Sequence, residues 1–184
     1  MDPKTPCTLK IPLISILSEY IHITKTMTLE AAKAFEQLKS DESNNFKFVY
    51  VSGEGATSEP GRFTALFGRV KGETETALME MEAKNPHFRA MIVRPALVDP
   101  QDHQAILPWI PPVPLWKRLE GAALAPVIRS CFKGLHSPTK PLGEFLAGLP
   151  VGAWDGKLKG EGVEMHGNSV LVKNVGLRRI MGLN

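Results

Sequence analysis

Hydrophobic and polar positions alternate along this chain in blocks of distinct period. Residues 1–18 read as irregular, with Pro3, Pro6 and Pro12 breaking any regular pattern. Thr28 then offers a side-chain cap to a helix reaching about Lys39, because Leu29, Ala32, Phe35 and Leu38 recur at helical spacing. A polar run at 40–45 marks a turn. Phe46 to Val51 is apolar almost throughout, apart from Lys47, which predicts a strand covered on both faces, as in a parallel sheet. Gly53, Gly55, Pro60 and Gly61 predict a loop after it. From Arg62 to about Lys84, the residues Phe63, Leu66, Phe67, Val70, Ala77, Leu78 and Met81 form one helical stripe. The pairs Arg69–Glu73 and Lys71–Glu75 stand four residues apart, a spacing that supports a helix from outside. A second strand is predicted over His87–Val93, so strand, helix and strand make a right-handed crossover unit.

Beyond Arg94 the pattern changes. Pro95, Pro100, Pro108, Pro111, Pro112 and Pro114 crowd a long loop around Trp109 and Trp116. Helices are predicted at about 115–133 and 139–148, a short strand near Gly162–His166, and a closing helix over Val172–Met181. The fold class expected is α/β: residues 1–100 a partial Rossmann-like domain and residues 101–184 a helical substrate or cap region packed on it, the two making one structural domain.

The bulk numbers narrow the function. The 184 residues are 43% hydrophobic and 22% charged, ordinary for a soluble globular domain. The 22 basic and 19 acidic residues are interleaved, which argues against a nucleic-acid footprint. No apolar run approaches the ~20 residues that span a bilayer; the longest, from Gly121 to Leu135, is broken by Pro126, Arg129 and Lys133. The stretch 121–128 reads as a buried helix. An apolar patch at 11–17 stands behind Lys4 and Lys10 like a signal segment, but Pro12 interrupts it. Cys7 and Cys131 have neither a metal nor a disulfide spacing, which points to a reducing, cytoplasmic setting. His22, His87, His103, His136 and His166 are scattered, so no metal site is expected. Asp99, Asp102 and His103 resemble part of a hydrolase relay, yet no G-x-S-x-G elbow accompanies them, and they read as loop caps. Trp109 and Trp116 suit a pocket lining, an interface or core packing equally.

The arrangement strand–Ser52, helix–Lys71, strand–Arg94-Pro95 carries a family likeness. With the runs YIHIT at 20–24, AAKAF at 31–35, FVYVSGEGA at 48–56, LFGRVKGETE at 66–75, SPT at 137–139 and VGLRR at 175–179, the chain resembles the atypical, epimerase-like branch of the short-chain dehydrogenase/reductase superfamily. It is most similar there to fungal NAD(P)-binding-domain proteins. The resemblance implies the C-terminal part of a doubly wound parallel sheet, a small-molecule substrate, and an oxidoreductase or epimerase activity with NAD(P), in fungal secondary metabolism. It assigns Ser52 and Lys71 to catalysis, and Lys71, Arg94, Pro95 and Val98 to the cofactor.

Two departures stand out. The family's acid–base tyrosine lies four residues before the lysine; here that position is Phe67, which has no ionisable proton. Tyr50 lies inside the strand and points elsewhere. The glycine-rich turn that meets the pyrophosphate at a helix N-terminus has no counterpart, and Gly53-Glu54-Gly55 lacks the third glycine. The chain therefore reads as a fragment, the product of a misplaced gene start, or a degenerate copy. Strands left without neighbours have unpaired edges, so a homo-oligomer or a sheet-completing partner is expected. Two alternatives to the redox reading stand beside it: a non-catalytic interaction or regulatory protein, and a cofactor-independent isomerase or cyclase on the same scaffold.

Overall fold

The computed structural model describes residues 13–37, 46–112, 126, 128–129 and 131–183. The polar turn at 40–45, Cys7, Trp116 and most of the helix expected over 115–133 lie outside the described residues.

Four strands form the main sheet in the order β1 (Phe46–Val51), β2 (Phe88–Arg94), β6 (Ser169–Lys173), β5 (Val163–His166). β1, β2 and β6 are parallel, and β5 runs antiparallel to β6. The molecule is thus α/β with a mixed sheet rather than a wholly parallel one. Two short strands, β3 (Leu97–Asp99) and β4 (His136–Pro138), make a separate parallel pair.

Helices cover both faces, which explains why the strands read as continuous apolar runs. On β2, Phe88, Ala90 and Ile92 face one side, and Met91 and Val93 the other. The first side packs with Tyr50 and Leu171 against Ala32 and Leu78. Those two come from α2 (Thr28–Glu36) and α3 (Leu66–Lys84). Phe35 stacks on Phe46 at 5.9 Å, and Phe46 on Phe88 at 6.4 Å, locking α2 onto the sheet. The second side packs with Val170 and Val172 against Leu142, Phe145, Leu177 and Ile180. These residues lie on α4 (Thr139–Gly148) and α5 (Asn174–Ile180).

Several expectations change. Leu13–Ile21 is a helix, α1, and it continues through a π-helical segment, His22–Met27, into α2. Thr28 therefore sits inside helical backbone (φ −61°, ψ −45°) and caps nothing. Helix α3 begins at Leu66, four residues after Arg62, because the loop up to Ala65 stays extended (ψ 146°). The closing helix begins only at Asn174. Residues 169–173 are instead β6, buried from Ser169 to Val172, and they pair with β2. The sheet therefore draws strands from both sides of position 100. Glu73 pairs with Lys25 at 2.7 Å and Glu75 with Arg94, so neither takes the helical neighbour four residues back.

Candidate functional site

The carboxyl ends of β1 and β2 open into a cleft of about 690 Å³. In open α/β sheets this is where ligands bind. Ser52, the first residue past β1, is buried, and its backbone N–H donates to the Val93 carbonyl at 2.8 Å. Its hydroxyl has no hydrogen-bond partner among the described residues. Lys71, on the first half of α3, reaches back and donates from Nζ to the Ser52 carbonyl at 2.7 Å. Burial holds its ammonium below the ordinary lysine value, and Glu75 offsets this only in part. Phe67, one turn earlier, lines the same cleft with Val51, Leu97, Val98, Ile128 and Leu135. Pro95 and Ala96 close its floor side, and Glu54 supplies a carboxylate.

The loop between Ser52 and α3 is held tightly. The amides of Glu54, Ala56 and Thr57 donate to the carbonyls of Pro95, Gly53 and Gly68. Gly68 and Gly72, one turn apart on α3, let this loop lie directly on the helix. A Cβ at Gly72 would overlap the Thr57 backbone, and one at Gly68 the Gly55 carbonyl. Beneath the cleft, Asn174 ties three segments together. Its side-chain amide donates to the Gly134 carbonyl at 2.6 Å, and its Oδ1 accepts from Ser137 Oγ at 2.6 Å. Ser137 Oγ in turn accepts from the Ala96 amide, and the Asn174 backbone N–H donates to Glu54 Oε1. Nothing along the chain marks Glu54 as a cleft residue beyond its place two residues after Ser52.

Four of the residues singled out in the sequence meet here: Ser52, Lys71, Pro95 and Val98. Arg94 does not. Its guanidinium turns to the neighbouring side of the sheet and binds Glu75 with two hydrogen bonds, at 3.0 and 2.5 Å. Tyr50 also faces away from the cleft, in the core beneath α3. Its hydroxyl is buried beside Thr74, and burial pushes the phenol up to about 12. Asp99 accepts from the Gln101 amide, the cap role expected of it. It also accepts two hydrogen bonds from Arg129 and contacts His136 Nε2 at 2.8 Å. Arg129 above all, helped by the Gln101 amide and His136, brings its carboxyl down to about 2. His103 instead meets the Thr139 hydroxyl at 3.3 Å. Trp109 is 83% exposed and takes no part in the core.

The donor set fits one end of a nicotinamide dinucleotide better than the whole. Lys71, Pro95 and Val98, the residues the resemblance would give to a nicotinamide, line this one cleft. A diphosphate needs free amides or cations, but the loop amides of Glu54, Ala56 and Thr57 are spent on carbonyls and Arg94 is spent on Glu75. The described residues therefore do not cradle a complete dinucleotide. Among them, no group of three or more His, Cys, Asp or Glu could hold a metal ion, and no helix is long and apolar enough to cross a membrane.

No known family profile matches the sequence, and no solved structure matches the fold at a significant level. Two curated proteins do match. Leucinostatins biosynthesis cluster protein T of Purpureocillium lilacinum is 32% identical over 152 residues, 72% of this chain, which spans about half (53%) of that longer protein. Botcinic acid biosynthesis cluster B protein 16 of Botryotinia fuckeliana is 55% identical over 158 residues, 86% of this chain and 100% of its own length. At that identity and coverage, the chain belongs to the family of botcinic acid biosynthesis cluster B protein 16, a family of fungal biosynthesis-cluster proteins.

Proposed function

We propose that this protein is an enzyme of fungal secondary metabolism. It would use a scaffold like the C-terminal half of a Rossmann-type, short-chain dehydrogenase domain to bind a small carbonyl compound in the cleft past β1 and β2. One observation carries the reading: Ser52, with an unpartnered buried hydroxyl, Lys71 and Phe67 converge on a single cleft at the carboxyl ends of parallel strands. Ser52 Oγ donates to the substrate oxygen, and Lys71 supplies positive charge beside it. The apolar lining from Phe67, Leu97, Val98 and Leu135 excludes water and takes the body of the ligand. Phe67 removes the tyrosine route for protons, and the diphosphate cradle is lacking among the described residues. Both features favour epimerase- or isomerase-type chemistry over hydride transfer. The names of the two relatives supply the setting, biosynthesis of a secondary metabolite.

The nicotinamide question is tested by thermal-shift titration of the purified chain with NADP(H) and NAD(H), since a ligand of the native state raises the melting temperature by mass action. A cooperative melt that neither cofactor moves is the expected result. A concentration-dependent rise would restore the oxidoreductase reading.

A second reading rests on β1. Its edge away from β2 pairs with no strand among the described residues, which suits a partner that completes the sheet. Light scattering on the isolated chain checks it: a stable monomer that melts cooperatively would count against an obligatory partner.

A further inference from the structure

The family resemblance treats the lysine as a contact to cofactor ribose, but its surroundings here suit different chemistry. Lys71 Nζ stands in a cleft walled chiefly by apolar side chains, Phe67, Leu97, Val98 and Leu135 among them. Among the described residues no carboxylate lies at ion-pair distance from it, because Glu75, one turn along α3, is committed to Arg94. Among the described residues its ammonium donates to the Ser52 carbonyl. Gly53 leaves the flank of the amine uncovered, since even a Cβ there would stop 3.6 Å from Nζ. The unpartnered Ser52 hydroxyl belongs to the same cleft.

We propose that Lys71 is a carbonyl-capturing amine, whose Nζ condenses with an aldehyde or ketone of apolar body to form an imine in this cleft. The inference rests on the cleft being a small-molecule site and goes beyond that reading by naming a covalent step. The lysine nitrogen lone pair forms the C–N bond while the carbonyl π pair moves to oxygen, and one N–H proton passes to that oxygen, giving the carbinolamine; Ser52 Oγ holds that oxygen. The second N–H proton then leaves with the hydroxyl as water while the nitrogen lone pair forms the C=N bond. A C=N bond remains, one water is released, and nothing is oxidised or reduced. The imine acidifies the adjacent C–H, so exchange or inversion at that carbon needs no nicotinamide. Burial, which holds the ammonium below the ordinary lysine range, increases the reactive free amine.

The test uses 1-phenylbutane-1,3-dione, which loses one water on condensing with an amine and gives a conjugated enaminone absorbing in the near ultraviolet. The expected result is a single adduct on Lys71 by peptide mass spectrometry. Its rate should exceed that of every other lysine of the chain, because burial favours the free amine there. Lys71→Arg, which keeps the charge but is not deprotonated, should give no adduct and no absorbance. In parallel, 1-phenylbutan-1-one, which cannot form the enaminone, is titrated by thermal shift on both proteins. If it raises both melting temperatures while the dione labels lysines only according to exposure, or none, the imine proposal is overturned and the cleft reading stands. If the ketone moves neither protein and Lys71 is not labelled, both fall.

Discussion

Ser52 holds a hydroxyl that is buried and unpaired, an arrangement that costs stability unless a ligand uses it. Ser52→Ala should therefore stabilise the fold slightly, by up to about 1 kcal/mol, while weakening binding of a ketone in the cleft by roughly five- to tenfold. Urea unfolding and a binding titration on the same sample check the opposed signs. Arg94 and Glu75 form the most buried ion pair described here, with side chains 14% and 3% exposed. Arg94→Leu strands the Glu75 carboxylate and should cost about 3 kcal/mol or more at pH 7, whereas Arg94→Leu with Glu75→Leu should recover most of that loss. The four-member unfolding cycle measures it. Asp99 gives a pH signature. Its folded pKa, lowered from 3.8 to about 2 chiefly by Arg129, means that its contribution is present above 3.8 and is lost as pH falls through about 2. Asp99→Asn should flatten the fall in stability over that window; an unchanged acid profile would refute the assignment.

At the scale of elements, the junction of α3 with the loop after β1 decides whether the cleft exists. Gly68 and Gly72 make a flat face one turn long, and the loop's amides and carbonyls rest on it. Gly72→Ala should lower stability by about 2–3 kcal/mol through overpacking against Thr57. It should also weaken ketone binding, because the displaced loop carries Ser52 and Glu54. Thermal melts and the same binding titration check both effects. The strand β1 was legible from an apolar run interrupted only by Lys47, and the helix expected at about 139–148 is α4. The strand β6 was not legible: its apolar part, Val170–Val172, is three residues long and does not alternate because both faces are covered, and a run that short does not separate strand from helix. The helix α1 was hidden by proline signals upstream of its start, and β3 and β4 are too short to carry a period. In the site, Ser52 and Lys71 were readable from order along the chain. Arg94's turn toward Glu75 was not, because it depends on a contact between elements that lie 19 residues apart.

At the scale of the molecule, the sheet is a boundary between two cores. One lies under α2 and α3 and the other under α4 and α5. The cleft lies where the carboxyl ends of the parallel strands leave both. The short pair β3–β4 places Leu97 and Val98 along the cleft, and Asn174 and Ser137 tie that pair to β6's continuation into α5. The account's central claim is that the cleft receives a small carbonyl compound. The most direct measurement is chemical-shift mapping of the isotopically labelled chain with 1-phenylbutan-1-one. The account predicts saturable shifts confined to Ser52–Glu54, Phe67, Lys71 and Ala96–Val98, diminished in Ser52→Ala. Shifts absent from those residues, or gathered elsewhere on the surface, would contradict it.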